Sequence, residues 1–408
     1  MTTTINNEHK KLNVPNLRFP EFQGEWEKKS LGEIGDSFIG LTYKPTDVVS
    51  EGGLIVFRSS NIQNGCMDYK DIVRVNKNVK EKLITKKDDL LVCARNGSAR
   101  LIGKNAILHE ADANQTFGAF MMVFRSDKNH FVHQLLNTRR YTSQVSENLG
   151  ARINQITSSD LSSFEFFFPT ENSEMNKIAA LLDLLDERIV TQSKIIDKLQ
   201  SLIKGLNDTL YAQHSDEVMT SFAELGTSYS GLSGKSAQDF GSGKPFITYL
   251  NVYSNNIINK NDFQYVAIKD GEKQNIVEYG DVLFTLSSET PNEVGIGSVF
   301  LGKEKVYLNS FCFGIHITNK EVAFSPYLSY YVSSTAFRKF IYPYAQGSTR
   351  FNLCKADFEK ASIKLPTLEN QKRIYSILSH IDNKIITERQ MLDLYNSQKQ
   401  YLLRQMFI

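Results

Sequence analysis

Two glycine-containing segments have residue types that bind nucleotides, but their spacing does not suit that chemistry. Gly231-Leu232-Ser233-Gly234-Lys235-Ser236 has two residues between its glycines, whereas a phosphate-binding loop needs four. Gly295-Ile296-Gly297 lacks the third glycine of a dinucleotide site because position 300 is Phe300. The sequence therefore predicts a flexible loop at residues 231–236 and no nucleotide cofactor in this chain.

Histidine, cysteine and carboxylate residues do not indicate a metal or acid–base site either. His130 and His133 are three positions apart without an acidic or cysteine partner nearby, which favours surface or packing roles. No pair of carboxylates stands out for proton transfer, and the Asn/Asp-Pro-Pro-aromatic loop of an adenine methyltransferase is absent. The cysteines lack C-x-x-C spacing and are expected to be reduced thiols: Cys66, Cys93, Cys312 and Cys354. We therefore expect no catalytic site and no metal.

The elements that would position functional residues form an internal repeat. An apolar seam with alternating steps of three and four residues lies near 174–212 and returns 196 positions later, as Asp186 and Asp382 show. Such a seam predicts coiled-coil helices, each about 58 Å long at 1.5 Å per residue. Both seams contain a polar residue at the same step, Gln192 and Glu388, which we interpret as a register mark. The predicted seam residues are Leu182, Leu185, Ile189, Ile196, Leu199, Leu378, Ile381, Ile385, Leu392 and Tyr395.

Strand-like runs separated by Asn, Gly and Ser precede each helix. The runs are 54–58, 89–94, 120–124, 245–250, 281–286 and 311–317. We predict an α+β fold, with two mostly β globules separated by two long helices that form an antiparallel coiled coil, and with a pseudo-two-fold internal repeat. The alternative is two tandem domains whose helices pack on their own globules, but seams this long exceed what one small globule covers. The predicted bounds are 1–15 for a polar tail, 16–170 and 214–366 for the globules, and 171–213 and 367–408 for the helices.

Charge and hydropathy limit the class of protein. The net charge of the 408 residues is +2, and residues 1–150 hold 21 Lys and Arg against 17 Asp and Glu. A chain that grips DNA alone usually shows a stronger basic footprint. The start of the chain is polar, and no window approaches the roughly 20 apolar residues of a membrane span. We therefore expect a cytoplasmic protein without a membrane segment.

The repeated motifs resemble those of the specificity subunit of type I restriction-modification enzymes. The residues that carry the resemblance are Phe19-Pro20-Glu21-Phe22, Trp26, Leu31-Gly32-Glu33, Pro169, Glu174, Ile178, Leu182, Leu185 and Asp186-Glu187-Arg188-Ile189, followed by Pro366, Glu369-Asn370-Gln371-Lys372-Arg373-Ile374, Leu378, Ile381 and Asp382-Asn383-Lys384-Ile385. Lys399 departs from the pattern, since it occupies a seam position where the first copy has Ile203, so the helix ends are expected to pair imperfectly.

The resemblance implies a non-catalytic DNA-reading role. Each globule would be a target recognition domain for one half of a split double-stranded DNA sequence, and the helices would fix the gap. The helices would also bind two modification subunits, which carry S-adenosylmethionine, while restriction and translocase subunits would add ATP- and Mg-dependent activity. A different hypothesis remains open, in which the chain is a coiled-coil scaffold whose globules bind proteins rather than DNA.

Polar side chains in the loops of the globules are the predicted DNA contacts, because Arg, Lys, Asn, Gln, Ser and Thr read base edges. The predicted residues are Arg58, Ser60, Asn61, Gln63, Arg95, Asn96, Ser98, Arg100, Lys104, Tyr249, Asn251, Tyr253, Ser287 and Ser288. Arg152 and Arg350 belong to a duplicated Gly/Arg/Asn element and either hold phosphates or brace each globule against its helix. Arg139-Arg140 and Arg338-Lys339 are weaker phosphate candidates, since such pairs are usually solvated.

Overall fold

Two long helices organise the chain. In the computed structural model, which describes residues 12–149, 154–213 and 217–408, the helices span Asn172–Gln213 and Leu368–Met406. Each begins shortly after a proline and has a glutamate in its first turn, where the helix dipole favours negative charge. The structure therefore confirms both long helices. Arg152 lies outside the described residues.

The chain forms two compact units. Among the described residues, unit 1 comprises 12–149, 154–193 and 390–408, and unit 2 comprises 194–213 and 217–389. Each unit thus contains one globule together with a segment of both long helices. This arrangement contradicts the tandem alternative, in which each helix would pack only on its own globule.

The two helix segments of unit 1 run antiparallel. In unit 1, Leu182 packs in the same core as Leu403 and Met406, and Asp186 forms an ion pair with Lys399. Residues of increasing number along the first helix therefore pack against residues of decreasing number along the second helix. The ion pair also explains how a lysine is accommodated at an otherwise apolar seam position.

The predicted seam is confirmed by burial. Leu182 in unit 1 and Leu378 in unit 2 are both fully buried. All ten predicted seam residues are buried or half-buried. Gln192 is buried in unit 1, and Glu388 is half-buried in unit 2 with an ion pair to Lys384. The polar step therefore lies on the packed side of each helix, as a register mark requires.

The globule of unit 1 is built on antiparallel and mixed sheets. Its central sheet has the order Asp36–Ile39, Met121–Arg125, Leu90–Cys93 and Asn105–Ile107. Its other pairings are Thr116–Phe117, Leu54–Phe57, Arg74–Val75 and Val48–Val49 in one sheet, Glu27–Ser30 with Glu165–Phe168, and Ile62–Gln63 with Cys66–Met67. Its helices are Asn129–Leu135, Arg139–Leu149 and Ser158–Ser163, with short 3-10 turns at Leu31–Glu33, Pro45–Asp47, Ser59–Asn61, Glu81–Leu83, Ala99–Leu101 and Glu110–Asp112.

The central strand Leu90–Cys93 shows why the globule of unit 1 needs a continuous apolar run. Leu90 and Val92 face a core that includes the long helices, whereas Leu91 and Cys93 face a second apolar cluster. Because alternate side chains of a strand point to opposite faces, a strand covered on both sides has to be apolar at every position.

The globule of unit 2 repeats the four-stranded central sheet of unit 1 with the same strand order. Its central sheet has the order Gly226–Ser230, Cys312–Ile317, Val282–Thr285 and Gly297–Val299. Its other sheets join Gln264–Val266, Phe240–Ile247 and Tyr307–Leu308, then Ser287–Ser288, Phe351–Leu353 and Ala345–Gln346, then Glu217–Thr220 and Ile363–Pro366. Its helices are Phe222–Leu225, Tyr249–Ser254, Ser325–Tyr331, Thr335–Ile341 and Lys355–Lys360, with 3-10 turns at Ala237–Asp239, Lys260–Asp262, Pro291–Glu293 and Tyr342–Tyr344. The internal repeat is confirmed.

Two local predictions are wrong. The predicted strand 245–250 ends at Ile247, because Thr248 caps a new helix by accepting a hydrogen bond from the Asn251 N–H. The loop at 231–236 is anchored rather than free. Its Leu232 is buried, and its Lys235 ammonium donates to the Ala267 carbonyl and pairs with Glu272.

No helix of the described ranges is both long enough and apolar enough to cross a membrane. The four cysteines lie within the described ranges and form no disulfide bond, and Cys93 and Cys312 are buried. Burial raises the pKa of the Cys93 thiol to about 11, so it is protonated at neutral pH.

Candidate nucleic-acid interface

Unit 1 presents three cations without carboxylate partners on the loop that follows Leu90–Cys93. The guanidinium carbon of Arg95 lies 5.3 Å from the centre of the exposed Phe120 ring. Arg100 and Lys104 line a concave pocket of about 590 Å³, and burial lowers the pKa of Lys104. Within the described part of the chain, none of the three forms an ion pair. This loop can therefore offer its charge to an external anion.

Arg58 and Ser60 are already engaged with an acidic residue of unit 1. A nitrogen of the Arg58 guanidinium lies 2.7 Å from a carboxylate oxygen of Asp71. Hydrogen bonds from Ser60 and then from Arg58 lower the pKa of Asp71, so its carboxylate is ionised at neutral pH. Both side chains are therefore held beside Asp71 within the globule.

Asn61 is fully buried and holds the loop of unit 1 together. Its amide nitrogen donates to the carbonyls of Asp68 and Asp71 at 3.0 and 2.9 Å, and its amide oxygen accepts from the Arg58 N–H at 2.9 Å. Because both ends of the amide are used inside the globule, the prediction that Asn61 reads a base is corrected to a positioning role.

Three further predicted residues of unit 1 remain accessible. Asn96 and Ser98 are half-buried, and Gln63 is exposed. The Asn96 amide donates to the Ser59 hydroxyl at 3.0 Å and accepts from the Ser98 N–H at 3.0 Å, which fixes the loop. The Gln63 amide donates to the Ser60 carbonyl at 3.2 Å. The Asn96 and Gln63 side chains therefore have defined positions within their loops.

In unit 2 the predicted residues form a hydrogen-bonded network around Glu293. The carboxylate of Glu293 accepts from the Tyr253 hydroxyl at 2.8 Å and from the Ser288 hydroxyl at 3.1 Å, and the Tyr253 bond is the largest cause of a lowered Glu293 pKa. Ser287 and Ser288 are both buried. The Ser288 hydroxyl and the Ser287 backbone therefore support the loop, and the burial of both serines corrects the prediction that they read bases.

Arg350 is exposed on the surface of unit 2, whereas Tyr249 is half-buried and already hydrogen-bonded. The Tyr249 hydroxyl donates to the Ser287 carbonyl at 2.8 Å, and its ring stacks on Tyr253 with centres 6.0 Å apart. Burial raises the pKa of Tyr249, and the nearby positive charge of Arg350 opposes that rise. Arg350 is exposed and forms no ion pair among the described residues. The two roles predicted for Arg350, a phosphate contact or a brace between the globule and its helix, both stay predictions.

Comparison with known proteins identifies the family. The type I restriction modification DNA specificity domain matches residues 23–201 and 230–394, so each match contains one globule and most of the helix that follows it. The chain belongs to this family. The two globules are accordingly its two target recognition domains.

Relatives with assigned names are similar over parts of the chain. The EcoKI specificity subunit of Escherichia coli K12 is 26% identical over 63% of this chain, and the StySPI specificity subunit of Salmonella potsdam is 26% identical over 46%. The matched regions span 60% and 42% of those two subunits. The MjaVIII specificity subunit of Methanocaldococcus jannaschii is 30% identical over 34% of this chain and 31% of that subunit.

Solved structures share the fold over nearly the whole length. The S subunit of a type I restriction-modification system from M. genitalium covers 97% of this chain and 99% of its own, with a TM-score of 0.57 at 16% identity. A chain from a structural study of type I complex assembly and conformational transition covers 93% and 96%, with a TM-score of 0.53 at 14% identity. At these identities the likeness shows the fold.

The second target recognition domain contains a buried asparagine that matches Asn61. Asn251 is 2% exposed, and its amide nitrogen donates to the Asn259 carbonyl at 2.8 Å. Its amide oxygen accepts from the Asn259 N–H at 3.0 Å and from the Asn255 amide at 3.1 Å. The prediction that Asn251 reads a base is therefore also corrected to a positioning role, and both domains use one buried amide to fix the same loop.

Each target recognition domain is fixed to its long helix by a repeated polar contact. In unit 1 the Gln134 amide donates to the carboxylates of Asp183 and Asp186 at 2.9 and 3.0 Å. In unit 2 the Tyr330 hydroxyl donates to Asp382. Gln134 and Tyr330 are 196 positions apart, as are Asp186 and Asp382. The contact therefore defines how each domain sits on the helix of its own unit.

Two histidine predictions have different outcomes. His130 does have acidic partners, since its Nδ1 lies 2.6 Å from Asp183 and its Nε2 lies 3.3 Å from Asp88, and the Asp183 hydrogen bond is the main cause of its raised pKa. His133 is buried as expected, with its Nδ1 2.9 Å from the Asn105 amide oxygen. Among the described residues, no group of three His, Cys, Asp or Glu side chains is arranged to hold a metal ion.

The weaker phosphate candidates Arg140 and Arg338 serve the globules. The Arg140 guanidinium donates to the Glu165 carbonyl at 2.9 Å and lies over the Phe167 ring. Arg338 donates to the carbonyls of Asn292, Val294 and Gly295, and burial lowers its pKa. Both side chains are therefore structural.

Sequence reasoning missed two exposed aromatic residues beside the candidate loops. Phe120 and Phe311 are each 57% exposed, although both flank the apolar central strands. They are 191 positions apart, which is also the offset between Gly40 and Gly231 at the front of each half. The signal that could have identified Phe120 and Phe311 is this 191-residue offset, which relates large apolar residues in the two halves of the sequence.

Proposed function

We propose that this chain is the non-catalytic DNA-specificity subunit of a type I restriction-modification complex, in which each target recognition domain reads one half of a bipartite DNA target. The observation that carries the proposal is a repeated frame with different surface residues. The central sheet, the buried asparagine and the helix contact recur in both units, whereas the loops carry Arg95, Arg100 and Lys104 in unit 1 but Tyr249 and Arg350 in unit 2. Two domains that share a backbone frame but carry different loop side chains are suited to reading two different half-site sequences.

The long helices, on this proposal, set the distance between the two half-sites. Helices Asn172–Gln213 and Leu368–Met406 each contribute a segment to both units. A coiled coil is stiff, and its buried seam fixes the register of the two helices. The number of base pairs between the half-sites would then depend on helix length rather than on the loops.

Two modification subunits would bind to equivalent apolar positions on the helices. Unit 1 exposes Leu181 at 38% and Met391 at 39%, and unit 2 exposes Ile377 at 39% and Ile195 at 38%. Leu181 and Ile377 are related by the 196-residue repeat, as are Ile195 and Met391. Two matching apolar positions in each unit support the binding of two copies of one partner.

The partners would supply the chemistry. The modification subunits would bring S-adenosylmethionine and methylate adenine, and restriction and translocase subunits would bring ATP and Mg. The modest net charge of +2 supports this division, because the partner subunits would share the grip on double-stranded DNA. Such a complex would act in the cytoplasm, where it meets chromosomal DNA.

Methylome sequencing of cells with and without the gene tests the proposal. We expect one bipartite adenine-methylated motif with a fixed central gap to disappear in the deletion strain and to return on complementation. If no motif disappears, and the chain instead captures a protein partner through high salt and nuclease treatment, the scaffold hypothesis replaces this one.

A further inference from the structure

A tight corner precedes the middle strand of the central sheet in each target recognition domain. Corner 1 is residues 118–120 and corner 2 is residues 309–311, and they end in Phe120 and Phe311. Both phenylalanines are 57% exposed. A single exposed apolar residue needs no explanation, but the same exposure at repeat-related positions indicates a shared role.

The backbone around the two corners matches bond by bond. Gly40 and Gly231 approach the corners so closely that an added Cβ would lie 2.2 Å from the Gly118 carbonyl oxygen and 2.0 Å from that of Asn309. Four hydrogen bonds recur in the two domains. Three have both partners at the 191-residue offset: Gly40 N–H donates to the Met121 carbonyl at 3.0 Å and Gly231 N–H to the Cys312 carbonyl at 3.2 Å, Leu41 N–H to Phe117 and Leu232 N–H to Leu308 both at 2.7 Å, and Met121 N–H to Gly118 at 2.8 Å and Cys312 N–H to Asn309 at 3.0 Å. In the fourth, Gly118 N–H donates to the Phe57 carbonyl at 2.9 Å and Asn309 N–H to the Ile247 carbonyl at 3.0 Å, with acceptors 190 positions apart. Each ring is therefore held on a fixed backbone rather than on a free loop.

Each corner is also bonded to the start of the candidate DNA loop. The Phe120 carbonyl accepts the N–H groups of Ala94 and Arg95 at 2.9 and 3.0 Å, and the Phe311 carbonyl accepts the Leu286 N–H at 2.9 Å. A movement of either loop would therefore also move the corner to which that loop is hydrogen-bonded.

The charge around corner 1 indicates what the ring contacts. Arg95 lies over the Phe120 ring and has no carboxylate partner among the described residues. In unit 2, the strand Ser287–Ser288 follows Leu286 and pairs with Phe351–Leu353, directly after the exposed Arg350. An apolar ring beside an unpaired guanidinium suits the surface of DNA, where base pairs lie next to phosphates.

We propose that Phe120 and Phe311 contact the apolar surface of base pairs, each in its own half-site. The ring would touch either a thymine methyl group or a partly unstacked base step, both of which accept apolar side chains. This inference rests on the proposed function, because it requires that each domain binds one half-site. It adds a specificity residue of the same kind to both domains.

The test measures DNA binding by the complex of the full chain with its modification subunits. Phe120→Ala and Phe311→Ala are compared with the wild type on the cognate duplex by fluorescence anisotropy at several salt concentrations. Removing half-exposed apolar area of this size is expected to weaken binding about fivefold. The salt dependence is expected to stay unchanged, since no phosphate contact is lost. Val48→Ala and Met219→Ala, at 44% and 59% exposed positions, are the matched controls.

Base-substituted duplexes show where each ring acts and by which contact. Phe120→Ala should reduce discrimination in one half-site only, and Phe311→Ala in the other only. If the contact is to a thymine methyl group, deoxyuridine in that half-site weakens the wild type but not the variant. If the contact is to an unstacked step, the wild type bends the duplex in a fluorescence energy transfer assay and the variant bends it less.

Three outcomes overturn the inference. Unchanged affinity and unchanged discrimination in both variants, while the wild type binds the duplex, refute it and leave the proposed function intact. Loss of complex assembly in the absence of DNA, with normal DNA affinity once the complex is saturated, assigns the rings to a protein contact. A wild-type complex that binds no bipartite duplex refutes both the inference and the proposed function.

Discussion

The buried amide of Asn251 provides a prediction that separates positioning from base reading. Asn251→Ala removes the hydrogen bonds to the N–H and carbonyl of Asn259 and to the Asn255 amide. A buried polar group left without a partner costs about 1–3 kcal/mol. Two backbone groups of Asn259 lose their partner, but this residue is only half-buried and water can reach it in part. We therefore expect the free energy of unfolding of unit 2 to fall by about 2 kcal/mol.

The assay combines urea denaturation with binding to half-site variants. Asn251→Ala should lower the unfolding midpoint and reduce discrimination across the whole second half-site, because helix Tyr249–Ser254 loses its anchor. Asn255→Ala is the control, since it removes one donor to Asn251 and is expected to cost about 0.5 kcal/mol or less. The reasoning is refuted if Asn251→Ala leaves stability unchanged and relaxes specificity at a single base pair, which is the result expected of a direct base contact.

Three further predictions concern the helices and the ionisable groups of unit 1. Insertion of one heptad into both long helices adds about 10 Å to their length. Methylome sequencing should then show a recognised gap that is longer by about three base pairs, with both half-sites unchanged. An unchanged gap contradicts the spacer role. Glu174→Ala leaves Arg18 and the Trp26 indole N–H without their carboxylate partner. This substitution should lower the free energy of unfolding, measured by urea denaturation, by about 3 kcal/mol. A decrease below about 1 kcal/mol contradicts the prediction. Burial lowers the pKa of His133 to about 4, so the unfolded state binds more protons than the folded state below pH 6.5, and stability is lost as the pH falls from 6.5 towards 4. In thermal melts, His133→Gln should lose less stability than the wild type over that range. Equal losses in the variant and the wild type contradict the assignment.

The helices were predictable because their signal is long and repeated. A seam with steps of three and four residues over about 39 positions fits a coiled coil, and the copy 196 positions later shows that a second helix has the same plan. The strand Leu90–Cys93 was predictable for a related reason, since a short apolar run suits a strand covered on both faces.

The site was predictable only as a set of loops. Whether a polar loop residue faces solvent depends on contacts between distant positions, such as the hydrogen bonds that bury Asn251 against Asn259. The His130–Asp183 contact joins residues 53 positions apart, on two different helices. An apolar residue beside a core strand is expected to be buried, so the exposure of Phe120 runs against its local pattern. Local sequence does not encode these tertiary contacts.

The most direct test of the account replaces one target recognition domain and reads the methylome. In the variant, residues 217–366 are exchanged for a second copy of the first domain, while both long helices are kept. The account predicts that the methylated motif becomes two copies of the first half-site, separated by the same gap. A motif that retains the original second half-site, or that changes in the first half-site, would contradict the claim that each domain reads its own half of the target.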